Sequence, residues 1–249
     1  MKTFHQLYLD ILKQETGKGR ILEEEYDPYH MDCLLNPGKH APIIFTESCE
    51  QCAYERACEN SCIFDAFERD ENGKTVINPD KCIGCGACVD ACRLERLAAN
   101  KDIVPVLTAI RKEEREVYAL IAPAFLGQFG EKVTVGRLRA VFKAMGFKGM
   151  VEVAVFADIL TLKEALEFDA NIQRDQDYQL TSCCCPVWIA MIRKVYHELL
   201  PHVPGAVSPM VAAGRVVKQL HPDAVTVFIG PCMAKKAEAR EPDIADAVD

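Results

Sequence analysis

Eight of the thirteen cysteines in this 249-residue chain lie between residues 49 and 92, and their spacing restricts the fold more than any other feature. The downstream half reads Cys82-x2-Cys85-x2-Cys88-x3-Cys92. Three thiolates spaced by two residues wrap one corner of an iron–sulfur cubane. Gly84 and Gly86 allow a tight loop whose amides face the sulfurs. The fourth cysteine of such a run, leading a helix away, usually serves the other cluster. The upstream half reads Cys49-x2-Cys52-x5-Cys58-x3-Cys62, with three extra residues in its middle. One 4Fe-4S cluster is therefore expected on Cys49, Cys52, Cys58 and Cys92, and a second on Cys62, Cys82, Cys85 and Cys88. Two zinc sites are the competing reading. Zinc knuckles pair one C-x2-C with another some distance away, and here a third cysteine follows too closely. His30 and Cys33 are read as structural residues, since a lone His–Cys pair is weak evidence for a ligand set.

An odd cysteine count clustered in C-x2-C repeats does not describe a secreted disulfide framework. The N-terminal residues Met1-Lys2-Thr3-Phe4-His5-Gln6 lack the apolar core of a signal peptide. No stretch reaches the ~20 apolar residues of a transmembrane helix. Reduced, metal-bound thiolates in the cytoplasm are the expectation. A net charge of −8, with no basic run, argues against a nucleic-acid partner, and no membrane partner is expected.

Residues 1–45 read as an N-terminal extension. Phe4, Leu7, Tyr8 and Ile11 fall at helical spacing, and Gly17-Lys18-Gly19 ends that helix. Tyr26 to Pro42 reads as an irregular connection. Residues 46–100 hold the two cysteine halves, separated by the turn signal Asp70-Glu71-Asn72-Gly73 and the β-type run Thr75-Val76-Ile77. Residues 101–249 alternate strand and helix. Strands are expected at Val117–Ile121, Val151–Phe156 and Val225–Ile229. Helices are expected over Val135–Met145 (closed by Gly146), around Leu162–Phe168, and around Trp188–Leu199. This alternation predicts an α/β fold, a parallel sheet with flanking helices.

Three adjacent cysteines occur in Thr181-Ser182-Cys183-Cys184-Cys185-Pro186-Val187-Trp188, and one more in Gly230-Pro231-Cys232-Met233-Ala234-Lys235-Lys236. Three neighbouring thiols cannot all point into one core. Pro186 suits a first helical turn. The triple run is expected between a strand and that helix, where the helix N-terminus favours thiolate. Cys232 follows the strand 225–229. Both motifs are then expected at strand C-terminal ends, where open α/β sheets build their sites.

Residues 46–100 resemble a two-cluster bacterial ferredoxin domain of α+β type, although no proline follows Cys62 or Cys92. The two later cysteine motifs resemble two of the three active-site motifs of the iron-only (FeFe) hydrogenases, in a three-cysteine variant form. The resemblance covers most of residues 46–249 and implies a partial hydrogenase catalytic domain over 101–249. It implies reversible proton reduction and H2 oxidation, with electrons relayed through two 4Fe-4S clusters to a soluble carrier such as ferredoxin. In that family a 4Fe-4S cubane is linked to a two-iron subcluster bearing CO and cyanide. Registering on Pro186-x-Trp188 makes Cys185 a cubane ligand and Cys184 the proton relay. Registering on Thr181-Ser182 instead makes Cys184 the ligand and Cys183 the relay. The first register is preferred. Cys232 matches a second ligand, and Lys235 the lysine that hydrogen-bonds a cyanide. Ala122-Pro123-Ala124 resembles a loop bordering the same pocket. Glu164, Glu167 and Ser208 resemble a proton path.

Three departures stand out. Val187 replaces a common glycine, Gly230 replaces a common methionine, and no third motif appears before Asp249. The expectation is an N-terminal portion of a longer enzyme, inactive by itself. An H2 sensor, an iron–sulfur assembly relative and a simple two-cluster carrier are the alternatives. Assembly relatives typically lack the relay cysteine, of which this chain has a surplus.

Overall fold

A computed structural model describes residues 1–17, 25–49, 52–130, 132–180 and 184–249. Their contacts define two compact units, Met1–Thr108 with Met233–Ala237, and Ala109–Cys232 with Glu238–Asp249.

In the first unit, α1 (Phe4–Glu15) opens with a capping box. The Thr3 side chain accepts from the Gln6 amide while the Gln6 side chain accepts from the Thr3 amide. Its stripe of Phe4, Leu7 and Ile11 is buried, and Gly17 leaves the helix at φ +76°. Lys18 and Gly19 lie outside the described residues. The connection expected to be irregular instead contains α2 (Pro28–Leu35), followed by a 3-10 turn at Pro37–Lys39. Asp27 caps α2 by accepting from the Tyr29 amide at 2.9 Å. Pro28 sits in the first turn, where its missing N–H costs nothing. The prolines that suggested an irregular connection lie in the first turn of the helix and beyond its end, without interrupting it. Cys33 and Leu34 of α2 join Phe4, Leu7, Ile11, Ile44 and Val104 in one core.

β1 (Ile43–Phe45) pairs antiparallel with β4 (Leu97–Ala99). Between them, α3 (Ala57–Asn60) follows the first cysteine loop, and α4 (Ala87–Ala91) follows the second. α3 and α4 lie against each other. The expected turn joins β2 (Phe67–Arg69) to β3 (Thr75–Ile77) as an antiparallel hairpin. Asp70 Oδ1 accepts the amides of Asn72 and Lys74 at 2.9 Å each, and Gly73 takes φ +78°.

α5 (Ile103–Lys112) leads to the sheet of the second unit. There β5 (Val117–Ile121) is central, flanked by β6 (Gly149–Glu152) and β7 (Val225–Ile229), all parallel. α6 (Val135–Ala144) makes the crossover to β6 and is capped by Thr134. The expected strand at 151–156 is cut short. β6 ends at Glu152, and α7 (Val153–Asn171) begins at once. A short apolar run carries no period that separates strand from buried helix. The helix expected around Leu162–Phe168 is the second half of this 19-residue α7. α8 (Pro186–Lys194) stops earlier than expected, and His197–His202 forms a 3-10 turn containing Pro201. α9 (Pro209–Leu220) returns the chain to β7, and α10 (Ala234–Glu238) follows it.

Leu120, Val153, Met210, Val211, Val217, Ala247 and Val248 belong to the core of this unit. A methyl group at Gly214 of α9 would overlap the Ala247 carbonyl oxygen and lie 2.8 Å from its carbon. Gly214→Ala sets a helix-propensity gain of about 1 kcal/mol against an overpacking cost of about 1–3 kcal/mol. The obstacle is backbone, which cannot turn aside, so net destabilisation is expected as a lower urea midpoint. No described helix is long and apolar enough to cross a membrane.

Candidate iron–sulfur centres

The second cysteine loop turns on Gly84 and Gly86, at φ +69° and +88°. Both glycines are also needed for space. A Cβ at Gly84 would lie 2.9 Å from Pro42 Cβ and 3.0 Å from the Met233 carbonyl oxygen. One at Gly86 would lie 2.8 Å from Met233 Cε. The loop wraps a pocket lined by Cys62, Cys82, Cys85 and Cys88 together with Ile43, Phe64, Phe67, Ile77 and Ile83. Cys62 comes from the upstream half, so this pocket holds the crossed set of four thiols.

Burial pushes the Cys88 thiol up to about 12, and the nearby Cys82, Cys85 and Cys62 thiols push the same way. Burial also raises Cys82, against the amides of Gly84 and Ile43. In the other set, burial raises Cys58, with Cys92 and Cys49 adding to the effect. Cys52 goes the other way. The amides of Tyr54 and Arg56 lower it, and Arg56 and the Cys49 side chain act in the same direction. The three extra residues supply these donors by turning Glu55 and Arg56 into the left-handed region, at φ 48° and 55°.

Crowded thiols oppose each other's ionisation while no cation lies between them. A cationic iron–sulfur core reverses that penalty. No three His, Cys, Asp or Glu side chains among the described residues are placed to hold a single metal ion. The donor chemistry of both sets, four soft thiols around amide-lined loops, fits a 4Fe-4S cluster.

Cys33 stands apart from both sets, fully buried on α2, its pKa raised by burial to about 11. His30, on the same helix, shares a hydrogen bond between Nε2 and the Phe45 carbonyl at 3.1 Å. Alkylation of the metal-free protein at pH 8 is expected to label Cys85, Cys184, Cys185 and Cys232, which are exposed, and to spare Cys33. Peptide mass mapping reads the difference. The unfolded thiol ionises near pH ~8.5 and the folded one higher, so this residue's contribution falls as pH rises between the two values.

In the second unit, the sheet places two loops side by side. Ile121 and Ile229 are paired residues at the carboxyl ends of β5 and β7. The chain leaves β5 through a 3-10 turn at Pro123–Phe125 and leaves β7 toward Cys232. A Cβ at Gly230 would stand 2.7 Å from the Phe228 ring and 3.0 Å from Ala122 Cβ. That close approach requires glycine where a methionine is common. Cys232 thus lies just beyond a strand's carboxyl end, as expected.

No strand leads into the triple run among the described residues. Residues 172–180 carry no regular element, and Thr181, Ser182 and Cys183 lie outside the described residues. Cys185 is the N-cap residue of α8, with Pro186 in its first turn. Cys184, Cys185 and Cys232 are all exposed. Their chemistry suits a soft metal cluster, but the described residues of this chain do not enclose one.

Glu164 and Glu167 are half-buried on α7. Glu167 Oε1 accepts from Lys163, whose ammonium also donates to the Gly205 carbonyl at 2.8 Å. Glu167 Oε2 is buried with no hydrogen-bond partner among the described residues. Ser208 is 3% exposed, and its hydroxyl caps α9 by accepting from the Val211 amide at 3.5 Å. Lys235 is half-buried on α10. Sequence reasoning passed over Lys236, which donates to the Asn100 carbonyl at 2.9 Å and pairs with Asp102. It also passed over Met233, for which the two glycines were the available signal.

The family described as "Iron only hydrogenase large subunit, C-terminal domain" matches residues 115–249, more than half of the chain. A 4Fe-4S binding domain matches residues 75–93. The NADP-reducing hydrogenase subunit HndD of Solidesulfovibrio fructosivorans is 26% identical over 66% of this chain and 32% of its own length. Iron hydrogenase 1 of Clostridium pasteurianum is 26% identical over 70% of this chain and 34% of its own length. A cytosolic Fe-S cluster assembly factor NAR1 homolog of Schizosaccharomyces japonicus is 23% identical over 73% of this chain and 42% of its own length. The chain spans about a third of the length of the two hydrogenases.

Proposed function

The chain belongs to the iron-only hydrogenase family, and on that premise we propose that it serves reversible proton reduction and H2 oxidation as part of a complete enzyme, relaying electrons through two 4Fe-4S clusters. The observation that carries the relay is the crossed grouping of thiols, with Cys62 beside Cys82, Cys85 and Cys88, and Cys92 beside Cys58 and Cys49. Those seven residues and Cys52, which lies beside Cys49, are the proposed cluster ligands. A soluble carrier such as ferredoxin, in a reducing cytoplasmic compartment, is the proposed electron partner.

Cys185 and Cys232 are proposed as two ligands of a hydrogenase-type cubane, which, linked to a two-iron subcluster in the complete protein, would supply the H2 chemistry. Lys235 offers a compact ammonium donor to a buried anion. Cys184 Sγ is the proposed proton relay, with Glu164, Ser208 and Glu167 behind it. The buried Oε2 of Glu167, without a hydrogen-bond partner among the described residues, supports the last assignment, because a proton carrier needs an oxygen not already held by a fixed donor. Lys163 holds the other oxygen and orients the group.

Iron analysis and infrared spectroscopy of the complete protein test the reading. About eight irons for the two relay clusters, CO and cyanide bands, and H2 turnover together support it. Relay iron without bands or turnover would reduce the protein to a carrier. An assembly role, favoured by the NAR1 likeness, predicts lost activity in unrelated iron–sulfur enzymes when the protein is depleted.

A further inference from the structure

The two cysteine sets sit in unlike surroundings. Ile43, Phe64, Ala66 and Ile83, each 8% exposed or less, border the Cys62, Cys82, Cys85 and Cys88 pocket. Cys85 itself is exposed, but beside it Met233 lies against Gly86 and its carbonyl against Gly84. Lys236, one helical turn on, ties the same segment to Asn100 and Asp102. At the other set, Cys58 is buried and Cys49, Cys52 and Cys92 are half-buried, but Cys52 adjoins the exposed residues Ala53, Tyr54, Glu55 and Arg56. The Tyr54 and Arg56 amides, with the Arg56 charge, face its sulfur, and Arg93 lies over the Tyr54 ring at 5.5 Å.

Reducing a 4Fe-4S cluster held by four thiolates adds negative charge to a group already anionic. Apolar cover opposes that charge, while solvent, amides and a nearby cation favour it. Cys82 has amide donors of its own, so the contrast rests on cover and cation, not on amide count.

We propose that Met233 is a positioning residue that seals the second cysteine loop and gives the cluster on Cys62, Cys82, Cys85 and Cys88 the lower reduction potential of the two. The cluster on Cys49, Cys52, Cys58 and Cys92 accepts electrons first. This rests on the two-cluster reading above. Each cluster takes one electron from an external low-potential reductant and returns it to an oxidant, with no bond made or broken.

The test is a potentiometric titration followed by electron paramagnetic resonance, on the full chain refilled with iron and sulfide. Two separate one-electron steps are expected. M233A should raise only the lower step, by about tenfold in the reduced-to-oxidised ratio, or roughly 59 mV. M233L, which keeps the apolar cover, should leave both steps in place. C52A should abolish the upper step and keep the lower. Should M233A fail to take up its cluster, the C52A result decides. A single merged step, a shift of the upper step in M233A, or loss of the lower step in C52A overturns the proposal. Fewer than two clusters in the unaltered chain overturns instead the reading beneath it.

Discussion

Replacing Cys88 with Ala is expected to strip one 4Fe-4S cluster from the chain and leave the other in place. Cys88 is 8% exposed at the start of α4, in the pocket that also holds Cys62, Cys82 and Cys85. Alanine keeps the helix and the packing but removes one of four soft donors. Cys58 of the opposite set, whose charge also acts on Cys88, is grouped with Cys49 and Cys92. Iron content should fall from about eight to about four per chain, with one of two resonance signals lost. Part of the stability of the first unit should go with it, because a cluster that binds only the folded chain lends its binding energy to folding. Survival of both signals would mean that the ligand sets are assigned wrongly.

The second large effect belongs to Cys184→Ser in the complete enzyme. A thiol is a far stronger acid than a serine hydroxyl, so it can give up and regain a proton in each cycle where serine cannot. General acid–base transfer contributes roughly 10²–10⁴-fold, so turnover should drop at least 100-fold by that principle. The CO and cyanide infrared bands should remain, since the ligand in the preferred register is Cys185. Loss of the bands would select the other register, in which Cys184 is the ligand and Cys183 the relay.

The elements that were legible in the chain are those whose signals are local. Val117–Ile121 and Val225–Ile229 form strands with the bounds expected, because each is an unbroken apolar run between turn signals. The Asp70–Gly73 turn and the stripe of α1 were equally plain. α2 escaped notice because its prolines and histidines resemble a loop until Asp27 is recognised as a cap. The boundary at Glu152/Val153 was hidden because valine and phenylalanine serve a strand and a buried helix equally. The expected strand before the triple cysteine run had no periodicity behind it, and none is found in residues 172–180.

By itself the sequence determined the chemistry, that is, how many thiols there are, how they are spaced, and where left-handed turns let amides approach them. Spacing along a chain governs which sulfurs can share one loop, and glycine governs how tightly that loop turns. Only the tertiary structure decided which environment each loop receives. Met233 reaches Gly86 across 147 positions of chain, and Cys62 meets Cys82 through a hairpin. Burial arises from such long-range contacts, and no local pattern encodes them. The apolar lining around one set of sulfurs, and the exposed loop beside the other, follow from the folded chain alone.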